Sequence, residues 1–180
     1  MNVLSYFNPA SRSAWFPVGP ASSFPNIDPE VDGADLSQPR PSKCDKGPPR
    51  IPGCKVFNIS REDGSRGREV TVQSGALEWD EDGEDKEDLK DQVLVFRYRD
   101  KFHAIDHKCP HASFPLSKGT PFDIEDFGVV LSMGVTCPEH GWSFDIITGL
   151  SDRSAYRLSI WQVEERPDGS VWVRRKPRIG

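Results

Sequence analysis

Beyond about residue 54 the chain reads as short runs in which apolar and polar positions trade places. In DQVLVFRYRDKFHAID, Asp91 to Asp106, the alternation runs on both sides of Arg99 and Asp100, which predicts a hairpin. CKVFNIS and REVTVQ are β-rich runs separated by the turn-rich REDGSRG. FGVVLSMGVTC, WSFDIITGL, YRLSIWQVEE and SVWVRRK read as further strands, the last two joined by the turn RPDG. No segment has a sustained helical period. Several short strands at close spacing predict an all-β domain, a small antiparallel sandwich or barrel.

The N-terminal part has a different pattern. Ten of the 16 prolines fall in the first 52 residues, and no period of either kind runs through them. That composition predicts a disordered Pro-rich tail over residues 1–52, followed by a folded domain over 53–177. Trp15, Phe16, Phe24 and Ile27 stand scattered in the tail, where a short docking segment is the alternative to no role. The run EWDEDGEDKEDLKD, 78–91, holds nine acids and two lysines. It reads as a solvated loop inserted in the domain, or as a patch that steers a basic partner.

Composition narrows the classes of function. Hydrophobic residues make up 36% and charged residues 28%, and the net charge is -5. An acidic balance gives no footprint for nucleic acid. No apolar run approaches the roughly 20 residues that span a bilayer. The first 30 residues lack the charged start and apolar stretch of a secretory signal. A mitochondrial address stays open because no acid precedes Asp28, although Arg12 alone is positive and prolines interrupt any amphipathic helix. The expectation is a monomeric cytoplasmic protein.

Four cysteines in such a chain point to metal or redox chemistry rather than disulfides. Cys44 and Cys54 stand near the proline-rich stretch and read as free surface thiols or an occasional disulfide. The other two each sit beside a histidine: Cys109 and His111 in KCPHASFPL, Cys137 and His140 in TCPEHGWSFD, with 25 residues between the halves. Structural zinc sites gather cysteines in one knuckle and histidines in another. Here each half contributes one thiol and one imidazole, so two loops can each send one ligand to each of two metals. Proline after each cysteine stiffens the loop, while neighbouring N–H groups stay free to donate to sulfur.

With these two half-sites, and with the stretch YRLSIWQVEERPDGSVWV looking like a closing hairpin, the chain resembles the Rieske iron–sulfur family from about Cys54 to Lys176. The resemblance implies stacked antiparallel sheets with a two-loop tip holding a [2Fe–2S] cluster. By it, Cys109 and Cys137 would hold the buried iron, and His111 and His140 the outer one. Phe114, Pro115, Pro138 and Trp142 would shield the cluster and form a docking rim. The Rieske proteins of respiratory complexes have two further cysteines in these loops, where this chain has Phe114 and Glu139. They also have a serine two residues past the second histidine, where this chain has Trp142. Fewer donors to the sulfurs imply a potential toward the low end of roughly -150 to +300 mV. That profile is similar to soluble Rieske-type ferredoxins and the Rieske domains of oxygenases.

A self-contained oxygenase would need a mononuclear iron held by two histidines and a carboxylate. His103 and His107 are the remaining histidines, with Asp106 beside the second. Four residues of extended chain hold them well over 10 Å apart, and they read as an ordinary strand and an ordinary loop histidine. SKGTPFDIEDFG, between the half-sites, reads as a surface insertion. Two readings stand. The first is a one-electron carrier between a reductase and an acceptor such as an oxygenase. The second is a Cys2His2 zinc module used for interaction.

Overall fold

The structure, a computed structural model, describes residues 14–28, 35–40, 51–72 and 89–176. Cys44 and residues 78–88 of the acidic run lie outside the described residues. Among the described residues thirteen strands carry the fold: β1 (Phe16–Pro20), β2 (Asn26–Ile27), β3 (Pro39–Arg40), β4 (Ile51–Pro52), β5 (Cys54–Ile59), β6 (Gly67–Val70), β7 (Gln92–Tyr98), β8 (Lys101–Asp106), β9 (Thr120–Asp126), β10 (Val129–Cys137), β11 (Trp142–Asp145), β12 (Trp161–Glu165) and β13 (Ser170–Arg175). The all-β expectation holds. Among the described residues no helix is long and apolar enough to cross a membrane.

The centre is a sheet in the order β2-β7-β5-β6, with β8 on the other edge of β7. Side chains alternate faces along a strand, and here both faces are buried. Val56, Leu94, Phe96 and Tyr98 enter one apolar cluster. Phe57, Ile59, Val93 and Val95 enter the other. Burial on both faces explains the nearly continuous apolar run of β7. The β11-β10-β9 sheet lies over the first cluster through Met133, Val135 and Phe144. The β1-β13-β12 sheet lies over the second through Phe16, Val18, Trp161, Val171 and Val173.

The β7–β8 hairpin turns at Arg99 and Asp100, as the sequence predicts, and both residues have positive φ, 45° and 62°. Two-residue hairpins favour this geometry although non-glycine residues resist it. The turn is pinned from outside. Asp100 N–H donates to Asn26 Oδ1 at 2.7 Å. Arg99 Nε donates to Asp123 at 2.9 Å, and Tyr98 Oη donates to the same carboxylate at 2.9 Å. Asp123 belongs to β9, so the turn ties the central sheet to the one above.

Two expectations need correction. Part of the predicted disordered tail belongs to the folded body: β1 pairs with β13, and Phe16, Val18, Phe24, Ile27 and Leu36 are all buried. Each buried apolar side chain contributes roughly 2 kcal/mol, which isolated residues in a polar, proline-rich segment do not advertise. Arg40 is also buried, its guanidinium donating to the carbonyls of Asp35, Leu36 and Gln38. The second correction concerns SKGTPFDIEDFG. Rather than a surface insertion it supplies β9, which runs antiparallel to β10 as the long hairpin of the upper sheet. Gly134 is required there, because a Cβ would lie 2.3 Å from the Phe122 ring.

Two outcomes follow from this packing. Phe16→Ala removes the ring that meets Phe57 edge-on at 5.8 Å between centroids, and should lower stability by about 3 kcal/mol in urea unfolding. An unchanged midpoint would place β1 outside the cooperative fold. His103 is held down to about 4, chiefly by burial and then by Lys101. Its folded pKa lies below the ordinary 6.5, so the unfolded chain binds more protons between those values. Stability should therefore fall as pH drops from 6.5 toward 4, at a limiting slope of about 1.4 kcal/mol per pH unit for this group. His103→Gln should make that fall shallower in urea midpoints taken across the window.

Candidate metal centre

The two Cys/His loops are built alike. Cys109 begins a turn closed by Ser113 N–H donating to the Cys109 carbonyl at 3.0 Å. Cys137 begins one closed by Gly141 N–H donating to the Cys137 carbonyl at 2.9 Å. In each the closing residue has positive φ, 54° at Ser113 and 68° at Gly141. Such a turn raises a histidine on its crest while its cysteine stays at the base. Strand β10 runs directly into the second turn, and Cys137 pairs with Trp142 across it.

The first turn is held at both ends. Cys109 N–H donates to the Phe114 carbonyl at 2.8 Å, and Leu116 N–H to the His107 carbonyl at 2.7 Å. His107 is buried, with Nδ1 2.7 Å from Gln92 Oε1 on β7 and Nε2 2.9 Å from Ser117 Oγ. Its ring thus bridges the central sheet and the far end of the loop. Burial holds His107 down to about 4. Ser117 and Gly119 accept, through their carbonyls, the N–H groups of Ser37 at 2.8 Å and Leu36 at 3.0 Å. A piece of the supposed tail therefore braces the loop.

The four candidate side chains come together in two layers. Cys109 and Cys137 are 0% and 1% exposed and form no disulfide. The Cys137 thiol donates to the Cys109 sulfur, which is pushed down to about 6 by that bond, with help from the N–H groups of Ala112 and His111. The same hydrogen bond, with burial, drives the Cys137 thiol upward. Backbone N–H donors favour negative charge on both sulfurs. Above them the His111 and His140 rings stand edge to face, 4.9 Å between centroids. His140 is exposed and His111 half-buried.

These residues fit a bound metal group. The Nδ1 atom of His111 is buried with no hydrogen-bond partner, a polar atom that costs free energy unless something binds it. Two close sulfurs, each met by backbone N–H donors, and two facing imidazoles make a soft-and-borderline donor set. Among the described residues no three His, Cys, Asp or Glu side chains gather around one point as a single ion would require.

Sequence reasoning missed Tyr156, which joins the expected Trp142 in the third wall of the site. Trp142 stacks on His111 at 4.1 Å with 9° between the planes. Tyr156 meets His111 at 5.6 Å and Trp142 at 5.4 Å, both edge-on. Tyr156 comes from the stretch after β11, which Arg153 fastens to the second loop by donating to the Gly141 carbonyl at 3.0 Å. Nothing in its spacing marks it. Of the other rim candidates, Phe114 and Trp142 pack against the core and Pro138 is exposed. Ser143, the nearest hydroxyl after Trp142, is engaged with Thr136 at 2.9 Å. His103 lies 5.7 Å from the Phe96 ring, and both nitrogens of His107 are spoken for. Cys54 is a buried thiol, not a surface one, pushed up to about 12 by burial.

Comparison with known proteins agrees with this geometry. Residues 69–155 match the model of the Rieske [2Fe-2S] domain. Ferredoxin CarAc of Metapseudomonas resinovorans is 32% identical over 83 residues, 45% of this chain and 68% of the ferredoxin. Apoptosis-inducing factor 3 of Mus musculus and of Homo sapiens is 46% identical over 59 residues, 32% of this chain. The chain spans only 8% of those two proteins. A solved Mycobacterium tuberculosis protein described as an NADH-dependent nitrite reductase small subunit shares the fold, with TM-score 0.50 and 15% identity over 92% of this chain and 97% of that one. The paired loops and the match of sequence along them have one conclusion: the chain belongs to the Rieske [2Fe-2S] family, and a [2Fe–2S] cluster is its cofactor.

Proposed function

We propose that this protein is a one-electron carrier whose cluster is held by Cys109 and Cys137 on one iron and His111 and His140 on the other. The observation that carries the reading is the two-layer donor set, thiols paired in the core and imidazoles facing each other above them. When bound, the cluster supplies a single electron equivalent at a time. The chain's own residues set where that equivalent is accessible. Burial of both sulfurs keeps water from the inner side, and the exposed edge of His140 faces the outside.

Trp142 and Tyr156 cover His111 and fix its ring plane, so one imidazole is packed and the other open. The likeness to a ferredoxin supports the carrier role, and the route proposed runs from a reductase to an acceptor protein such as an oxygenase. The zinc module is the weaker reading, since a single ion would draw all four donors to one point. A redox-silent zinc would also leave the segregation of thiols from imidazoles without a use.

The freshly purified protein should be red-brown, carry about two irons and two sulfides per chain, and give a Rieske-type signal in the reduced-state EPR spectrum. Cys109→Ser, Cys137→Ser, His111→Ala and His140→Ala should each abolish that signal. A colourless protein holding one zinc, still so after anaerobic reconstitution, would overturn the carrier. His107 acts through the first loop. Replacing it by Phe keeps a ring but strands Gln92 and Ser117, at a cost of about 1–3 kcal/mol. The variant should lose cluster absorbance several-fold faster than wild type under a chelator, and His107→Gln should recover part of the loss.

A further inference from the structure

A cleft of about 160 Å³ opens beside the first cluster loop. Its lining includes Arg61, Lys90, Lys108 and Arg157, with Asp106 as the one acid and Pro110 from the loop itself. Asp106 accepts from Trp161 Nε1 at 2.7 Å, so its charge is partly committed. Arg61 is fastened to Asp91 and to the Lys90 carbonyl, which fixes one wall. Lys108 lies next to Cys109 in the chain and bridges to Pro115 across the loop. Arg157 is exposed on the segment that carries Tyr156. The excess of basic groups is local, because the whole chain carries -5.

We infer that this cleft is the docking point for an acidic surface of a redox partner protein, which seats its carboxylates between Lys108 and Arg157 beside the cluster. The inference rests on the electron-carrier reading. The cleft is well below the roughly 300–1,000 Å³ of a site that encloses a small molecule. A volume of this size accepts one or two projecting carboxylates. A positive spot on a negative protein also orients an approaching acidic partner, since every other approach is repelled on average. Docking there sets the partner against the loop that bears Cys109 and His111. It therefore holds the partner beside the cluster loop at no cost to the packing around Trp142.

The test compares Lys108→Glu with Lys101→Glu in cluster-loaded protein. Both change the net charge equally, but Lys101 opens β8 and Lys108 lies just beyond its other end, Asp106. Reduced protein is mixed in stopped flow with anionic ferricyanide and with cationic hexaamminecobalt(III). In each case the cluster gives up one electron and the oxidant's metal(III) becomes metal(II), with no bond made and no proton moved in the cluster. In wild type the ferricyanide rate should fall as salt is added and the cobalt rate should rise. Lys108→Glu should slow ferricyanide by about tenfold at low salt, Arg157→Glu should act in the same direction, and Lys101→Glu should change it less than twofold. Equal effects of the two lysine substitutions, or a wild-type ferricyanide rate that rises with salt, would overturn the cleft.

Calorimetry with an octaglutamate peptide gives a readout independent of electron flow. Binding that weakens with salt, survives Lys101→Glu and is lost in Lys108→Glu and Arg157→Glu supports the cleft. Absence of binding to wild type at low salt overturns it. Iron assayed on every sample separates the two ideas. A protein that takes up no cluster yet binds the peptide defeats the carrier alone, and a loaded one that fails both assays defeats the cleft alone.

Discussion

Burial of strand β7 on both faces is the constraint from which the rest of the architecture follows. Val93 and Val95 point into one apolar cluster, Leu94, Phe96 and Tyr98 into the other, and none is more than 2% exposed. A strand so placed demands a cover on each side. The lower cover is the β1-β13-β12 sheet, which closes only because the N-terminal segment adds β1 to the chain's last hairpin. The upper cover is the β11-β10-β9 sheet, and it is this sheet that delivers Cys137 to the core. Gln92, the first residue of β7, holds His107 and so fixes where the first loop leaves β8.

That arrangement sets the electrostatics of the centre. A thiol removed from water keeps its proton, as Cys54 does with its pKa pushed up to about 12 by burial, even with Arg40 opposing the shift. Cys109 lies as deep, yet moves the other way, because Cys137 and two backbone N–H groups donate to its sulfur. Burial alone therefore does not decide the state of these cysteines. Hydrogen bonding decides it, first between the two sulfurs and then from N–H groups that the turn aims inward, on a loop whose ends are tied to His107 and to the 35–40 segment. A loop free to open would let water replace those donors and would lose the preference for sulfur charge.

Much of this was legible in the sequence, and unevenly so. The β5, β7, β8, β10, β12 and β13 runs announce themselves because their apolar residues are dense and their turns sharp; Arg99 and Asp100 fall where the alternation breaks. The four candidate ligands stood out for a chemical reason, since paired Cys/His spacings are rarely accidental. The N-terminal segment was not. Phe16, Val18, Phe24, Ile27 and Leu36 are separated by prolines and polar residues, so each reads as an isolated apolar residue until β13 and β7 supply the other half of the contact. Strand β9 was hidden for a related reason: its Asp123 answers Arg99, 24 residues earlier, rather than any neighbour in sequence.

Tyr156 illustrates the last kind of illegibility and its consequence. No local pattern marks a tyrosine in SDRSAYR as part of a metal centre. Its place is settled by Arg153 reaching the Gly141 carbonyl and Ser143 N–H donating to Asp152 at 3.1 Å, which lay this segment along the second loop. Once there, it stands edge-on to both Trp142 and His111. The two histidines are thereby made unequal: His111 is walled by two aromatic rings, while His140, among the described residues, has a ring contact only with its fellow histidine and is exposed. On the proposed ligand set, a partner would meet one stiff, shielded edge and one open edge. A symmetric pair of exposed imidazoles would offer two routes and a looser ring geometry. The aromatic wall removes one of them, so the direction of approach is built into the packing rather than left to the partner.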